Sequence, residues 1–204
     1  HTPLAPNPML DIATPAGTLR LFAARAAYLP EHEALLVADA HFGKAQSFRR
    51  LGVPVPAGTT PAQLERLTQL LGLCHPKRVI FLGDLLHGPH GRSAPVLDAV
   101  AAWRERHAAV DCILVRGNHD HRAGDPPADW AMQVVDEPYR LGPFALCHHP
   151  QTVEGAYALA GHLHPCVYLG RGPDRLRLAC FHFGPHAGVL PAFGEFTGAH
   201  PVVR

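Results

Sequence analysis

Five short clusters in the chain combine residue types that bind metals or move protons: Asp39-Ala40-His41, Gly83-Asp84, Gly117-Asn118-His119-Asp120, His148-His149 and Gly161-His162-Leu163-His164. Carboxylate, amide and imidazole groups are the mixed oxygen and nitrogen donors that first-row divalent metals take, and histidine also carries a proton near neutral pH. Asp39 and His41, like His162 and His164, are two positions apart, so on an extended chain their side chains point the same way. The glycines before Asp84, Asn118 and His162 permit a sharp turn and a close approach of backbone to a ligand. Asp39, His41, Asp84, Asn118, His148, His162 and His164 together offer three oxygen-bearing and four imidazole donors. That is too many for one tetrahedral zinc ion but suits two five- or six-coordinate ions sharing a carboxylate. Singly, each cluster also reads as ordinary structure, an aspartate cap beside a surface histidine or a polar turn. Their succession, each just after an apolar run, favours a dinuclear site.

The elements that must position these residues are short apolar strands. Leu19 to Leu29 and Glu33 to His41 alternate or run apolar over strand-like lengths, the second ending Leu35-Leu36-Val37-Ala38 before Asp39. Pro54, Pro56 and Gly58 break the chain, and Thr60-Pro61 opens a helix with Leu64, Leu67 and Leu71 on one face. Arg78 to Leu82 stops at Gly83-Asp84 and leads to a helix with Val96, Val100 and Trp103 inward; Cys112 to Val115 stops at Gly117-Asn118. Strand, polar loop and helix in repetition predict parallel strands with helical crossovers, which bring the strands' carboxyl ends to one edge. Beyond about residue 138, strands are predicted at Phe144 to Cys147, Tyr157 to Ala160, Cys166 to Leu169 and Leu176 to Phe183. The expected fold is α/β, a layered sandwich with two facing sheets.

Composition narrows the classes. With 204 residues the chain is expected to form one domain, 1–204, with residues 1–10 loosely ordered. At 47% hydrophobic it can bury a core, and no apolar run approaches a membrane span. Eighteen Lys and Arg against seventeen Asp and Glu give a net charge of +1, so any nucleic-acid affinity must come from a local patch. The sixteen histidines exceed what packing needs. The five cysteines are odd in number, lack CxxC spacing and read as reduced, buried small hydrophobes. The first ten residues lack the regions of a secretory signal, and the expected location is cytoplasmic.

The ordered series Asp39-x-His41, Gly83-Asp84, Gly117-Asn118-His119-Asp120, His148 and Gly161-His162-x-His164 resembles the calcineurin-like metallophosphoesterase superfamily. Asp39-Ala40-His41-Phe42-Gly43-Lys44 through Phe48-Arg49-Arg50 to Pro56, and the late Leu190-Pro191-Ala192-Phe193-Gly194-x-Phe196-Thr197-Gly198, look like the bacterial DNA-ligase-associated metallophosphoesterases. The resemblance implies an α-β-β-α sandwich of two facing mixed sheets flanked by helices. It also implies two Mn²⁺ ions, with iron or zinc compatible with the donors, and a DNA endonuclease grouped with a helicase and a DNA ligase in repair. By position it assigns Asp39, His41 and His164 to one metal, Asn118, His148 and His162 to the other, and Asp84 to both. His119 matches the family's catalytic histidine beside the scissile phosphate, and His87, three after Asp84, resembles an assisting histidine of double-strand-break repair nucleases. Where many relatives carry an acidic residue, this chain has His149 after His148.

Two such cations lower the pKa of a shared water and stabilise charge on a phosphate, while His119 assists the leaving oxygen. Ser47 and Ser93 lack a nucleophile-elbow context, which agrees with water as nucleophile. Lys44, Arg49, Arg50 and Arg92 are the candidate phosphate-binding cations, with backbone contact and no sequence readout expected. A chain without a capping domain would leave room for a flexible single strand. The alternatives are a phosphodiesterase of a small molecule such as a cyclic nucleotide, and a non-catalytic protein-binding scaffold.

Overall fold

The computed structural model of the protein describes residues 8–52, 54, 59–195 and 197–202. Its largest sheet runs, edge to edge in chain order, through β1 (Met9–Thr14), β2 (Gly17–Phe22), β3 (Ala26–Leu29), β4 (Ala34–Val37), β5 (Arg78–Leu82), β6 (Asp111–Val115) and β7 (Met132–Val135). The first four strands pair antiparallel and β4 to β7 pair parallel. The crossovers carry α1 (Lys44–Arg50) and α2 (Thr59–Cys74) after β4, α3 (Ala94–Arg106) after β5 and the six-residue α4 (Asn118–Ala123) after β6.

A second mixed sheet is built from β8 (Tyr139–Leu141), β9 (Phe144–Leu146), β10 (Tyr157–Ala160), β13 (His182–Phe183) and β14 (Ala187–Val189), in the order β13-β14-β10-β9-β8. A third, small sheet joins β11 (Pro165–Leu169) to β12 (Leu176–Ala179) and β15 (His200–Pro201). The expected mixed α/β architecture, with facing mixed sheets and flanking helices, is what forms.

The alternation within β4, β5 and β6 explains the layering. Leu35, Val37, Val79, Phe81, Cys112 and Leu114 face the helices, where they meet Leu64, Leu67, Val100 and Trp103. Their neighbours Leu36, Ile80, Leu82, Ile113 and Val115 face the second sheet, where they meet Leu141, Phe144, Leu146 and Leu159. Burying each such side chain contributes roughly 1.5–3 kcal/mol, so these doubly covered strands are the rigid frame on which the loops hang. The three Leu positions of α2 and the Val96, Val100 and Trp103 face of α3 are buried as their spacing requires, and the Trp103 Nε1–H donates to Thr68 Oγ1 across the helix pair at 3.2 Å.

Several boundaries differ from expectation. β1 starts at Met9, paired with Phe22, inside the stretch expected to be loose. The run Leu19 to Leu29 is broken by a turn at Ala23–Arg25, with Arg25 at φ 65°. The run Leu176 to Phe183 divides between two sheets: β12 pairs with β11, a ladder that the Cys180 N–H bond to Pro165 O prolongs, whereas His182 and Phe183 pair with β14. Cys74 and Cys180 are half-buried rather than buried, and all five cysteines are free. Pro56, Gly58 and Phe196 lie outside the described residues, as does the side chain of Arg50. Among the described residues no helix is long and apolar enough to cross a membrane.

Candidate metal centre

The five clusters meet where β4, β5 and β6 end on one edge and where β9 and β10 of the facing sheet end opposite them. Pairing continues past the strand ends: His41 N–H donates to Asp84 O at 2.9 Å, Phe42 N–H to Leu85 O at 2.8 Å and His87 N–H to Phe42 O at 2.9 Å. The first two loops are therefore one unit. The late Leu190–Gly194 stretch buttresses the first loop, with Phe193 N–H on Ala38 O and Gly194 N–H on Asp39 O. Arg66 clamps that stretch by lying over the Phe193 ring at 3.9 Å and donating to the Phe193 carbonyl.

The clustered side chains do not share a side by extended geometry, as the spacing alone suggested. Asp39, His41, Asp84, His162 and His164 all have positive φ, at 50°, 46°, 50°, 68° and 51°. β4 has ended at Val37 and β10 at Ala160, so left-handed turns, not strand alternation, aim these groups inward. Such a conformation costs about 1–3 kcal/mol per non-glycine residue and persists where the surroundings over-determine it. Here the carboxylates help to hold it: Asp39 Oδ2 accepts His162 N–H at 2.8 Å, and Asp84 Oδ1 accepts His119 N–H at 2.9 Å.

The preceding glycines matter through close contact. A Cβ at Gly83 would lie 2.1 Å from His148 Nδ1, one at Gly117 2.4 Å from Asp84 Oδ1, and one at Gly161 2.5 Å from Asp39 Oδ2. Each glycine leaves room for the donor of a neighbouring loop.

Ligating atoms converge in overlapping groups, each within 4.8 Å: Asp39, His41 and His164; Asp39, Asp84 and His148; His148, His149 and His162; and His41, His87 and His119. Asp39 Oδ1, both ring nitrogens of His41 and His164 Nε2 are buried without a hydrogen-bond partner among the described residues. Leaving such groups unsatisfied costs roughly 1–3 kcal/mol each. Burial, with the nearby Lys44 and the other imidazoles, pushes the His41 pKa down to about 2, so its ring is neutral and offers a lone pair. The Leu82 carbonyl can only accept, so His148 Nδ1, 3.0 Å away, is its donor, and His148 Nε2 is turned toward the other ligand types. Asn118 Oδ1 lies 2.9 Å and His162 Nδ1 3.1 Å from it. With the unpartnered buried atoms of Asp39, His41 and His164, this convergence of oxygen and imidazole groups fits divalent metal ions. Burial and the adjacent His148 and His149 hold the His162 pKa below its ordinary value, which also favours the neutral ring.

His119 is 30% exposed at its side chain and its ring stacks on His87 at 5.5 Å, with His41 at 5.1 Å. Lys44 is half-buried, and burial lowers its pKa while Asp84 and Asp39 pull it back up. Arg49 is exposed on α1. Arg92 Nη1 donates to the Gly124 and Asp125 carbonyls and ties two loops together. His121, His182 and His186 are exposed and outside the convergent groups.

Two acidic residues without an expected role organise the site. Asp120, within the third cluster, accepts N–H groups from Asp84 at 2.7 Å, Leu85 at 2.9 Å and Gly117 at 2.8 Å. Burial raises its pKa to about 6 against those three donors. Glu137 has no motif to mark it. Its Oε2 accepts the N–H groups of both His148 and His149 at 2.8 Å, and its Oε1 meets His149 Nδ1 at 2.6 Å. Burial raises the Glu137 carboxyl, but the His149 ring and the two N–H groups outweigh it and hold the pKa below the ordinary 4.5.

An amide has one oxygen where this carboxylate uses two. Glu137→Gln is therefore expected to weaken metal binding about 10- to 100-fold, the usual effect of losing a group that orients a ligand. The depressed pKa makes the contribution of Glu137 to stability present above the carboxylate range and lost as pH falls below it. Melting temperatures of variant and parent should differ at neutral pH and converge in acid. Equal metal titrations for the two proteins would contradict this role.

Residues 33–177, more than half the chain, match the family described as calcineurin-like phosphoesterase. The fold is similar to the crystal structure of the Pseudomonas putida nuclease MPE, with 44% sequence identity, 96% of this chain and 92% of that chain covered, and a TM-score of 0.87. A phosphoesterase from E. coli, Yfce, is 17% identical over 81% of this chain and 83% of its own, with a TM-score of 0.42. No curated protein sequence matches the chain. With its converging carboxylate, amide and imidazole donors, the chain belongs to the calcineurin-like phosphoesterase family and is a metal-dependent phosphodiesterase, a hydrolase.

Proposed function

We propose that the protein is a DNA endonuclease that prefers single strands, uses two Mn²⁺ ions and acts in bacterial DNA repair in the cytoplasm, beside a helicase and a DNA ligase. The observation that carries this reading is the 44% identity to a nuclease over 96% of the chain. Asp39, His41 and His164 would hold one ion, Asn118, His148 and His162 the other, and Asp84 both. Ions held there would supply water activation at neutral pH and positive charge against the phosphate's growing negative charge.

The chain's own residues do the rest. Asp84 fixes the backbone of His119 through Oδ1, so the His119 ring stands at the open side of the cluster, where it gives a proton to the leaving oxygen. His87, stacked on that ring, orients it. Lys44 faces the carboxylates from half-buried ground and is suited to a phosphate oxygen; Arg49, and Arg50 beyond the described side chains, would extend that contact along the strand. The partial exposure of His119 and His164 leaves a polymer access to the cluster.

His119→Ala is expected to lower the turnover of DNA about 10²- to 10⁴-fold, the typical share of a general acid, while metal content stays at the parental level. Retained turnover, or loss of metal together with activity, would remove His119 from the proton-donor role. The parent protein, assayed side by side on DNA and on cyclic nucleotides, should cut the DNA; turnover of the cyclic nucleotides alone would replace the nuclease reading with a small-diester one.

A further inference from the structure

Immediately after His164 the chain enters β11, and the third sheet stands beside the metal cluster, held there by His200 N–H on His164 O at 3.1 Å. Between this sheet and the β2–β3 turn lies a cavity of about 290 Å³, whose lining includes His164, Arg25, Arg177, Glu195 and Thr197. In the β11–β12 ladder, Cys166 lies opposite Ala179 and Tyr168 opposite Arg177. Directly opposed residues share a face of the sheet. Arg177, Ala179 and Cys166 thus form one wall of the cavity, and Tyr168, 38% exposed, continues the same face outward with the Arg175 guanidinium on its ring at 3.7 Å.

The arginines elsewhere in the fold are mostly committed. Arg20 pairs with Asp11, Arg116 with Asp125 and Asp136, and Arg92, Arg104 and Arg140 donate to backbone carbonyls. Among the described residues, neither the Arg25 nor the Arg177 side chain has an ion pair or a hydrogen bond, although Glu195 lines the same cavity. Arg66 lies within reach of the same charges: burial, then the charge of Arg25, lowers its pKa to about 10, while Glu195 acts to raise it. Two uncommitted guanidinium groups, one on the β2–β3 turn and one on β12, therefore face one cleft that begins at a metal-ligand candidate. Beyond them an apolar groove of about 500 Å³ shares Arg25 and Ala179 with the cleft and is lined by Met9, Leu10, Leu178 and Phe181 among others.

We propose that this cleft is the subsite for single-stranded DNA flanking the scissile bond, with Arg25 and Arg177 on a backbone phosphate and the apolar groove receiving an unstacked base. The assignment rests on the DNA-nuclease reading and deepens it. Charge complementarity and continuity with the cluster through His164 select the occupant. A base can enter the groove only when it is free of a partner strand, and such platforms bind single strands by backbone charge plus base contact without sequence readout. Preference for single strands then has a structural source outside the metal centre.

The test is the double variant Arg25→Gln/Arg177→Gln, with Arg106→Gln, an exposed cation on α3, as the remote control. Binding of a fluorescent oligothymidylate, measured by anisotropy on metal-stripped protein, should weaken about 10-fold, and the slope of log K against log salt should fall by about 0.7 for one phosphate released. With Mn²⁺ present, KM for single-stranded DNA should rise about as much while kcat stays within about twofold. Arg106→Gln should match the parent. Because neither guanidinium has a partner among the described residues, the melting temperature should not move; a fall would mean the pair supports the fold instead, and would overturn the subsite. Unchanged affinity, salt slope and KM in a parent protein that cuts DNA would overturn the subsite alone. A parent protein that neither binds nor cuts DNA would overturn the nuclease reading and the subsite together.

Discussion

Asp84→Asn is expected to lower phosphodiester cleavage by about four orders of magnitude while the protein stays folded. Asp84 is 2% exposed, and its two oxygens do different work. Oδ1 accepts the His119 N–H and lies 3.6 Å from His148 Nε2; Oδ2 lies 3.8 Å from His41 Nε2 and 3.9 Å from His119 Nε2. No other carboxylate reaches toward ring nitrogens of all three of these histidines among the described residues. An asparagine can keep the bond to His119 N–H, so the local backbone should survive, but it removes the negative charge shared by the two proposed ion positions. In the metal-free protein Asp39, Asp84 and Asp120 are buried near one another, and loss of one charge relieves repulsion. The stripped variant should therefore melt no lower than the stripped parent, while the upward shift on adding Mn²⁺, which follows the bound fraction, should shrink. Metal content and melting curves check this; a variant with full metal content and parental rate would contradict it.

Gly83→Ala is expected to cost about 10³-fold in activity and several degrees of melting temperature. The added Cβ would fall 2.1 Å from His148 Nδ1 and 2.8 Å from His148 Cβ, on a backbone with φ 80°. His148 cannot swing aside, because it is fully buried and its Nδ1–H is bound to Leu82 O. Overpacking together with left-handed strain costs roughly 2–5 kcal/mol, and 1 kcal/mol moves the melting temperature by about 2–4 °C in a chain this long. Gly124→Ala is the matched control: its φ is also 80°, yet nothing lies within 4 Å of the position. It should lose stability and keep its activity. Equal activities for the two variants would show that close contact with His148 is not what Gly83 provides.

Much of this architecture is written locally in the chain. The alternation in Leu35-Leu36-Val37 and Val79-Ile80-Phe81-Leu82 distributes side chains between helices and facing sheet, and the polar clusters follow those runs directly. The cluster residues were legible because a ligand set needs particular residue types at strand ends. Their left-handed backbone was not, since it is imposed by bonds between loops far apart in sequence, such as His162 N–H on Asp39 Oδ2. Glu137 was invisible for a related reason: it acts on His148 and His149 through space, from a stretch with no motif around it. The charge of Arg92 can be read from the sequence, but its bonds to the Gly124 and Asp125 carbonyls cannot, because they depend on where two loops meet. The division of Leu176–Phe183 between two sheets likewise follows from long-range pairing, Leu176–Ala179 with β11 and His182–Phe183 with β14, and not from composition.

The most direct test uses closed circular single-stranded DNA, which has no ends, incubated with metal-stripped protein, with and without Mn²⁺, and with His119→Ala in parallel. The account predicts linear and then shorter products that require both Mn²⁺ and His119. A circle left intact by the Mn²⁺-loaded parent, or cut equally by His119→Ala, would contradict it.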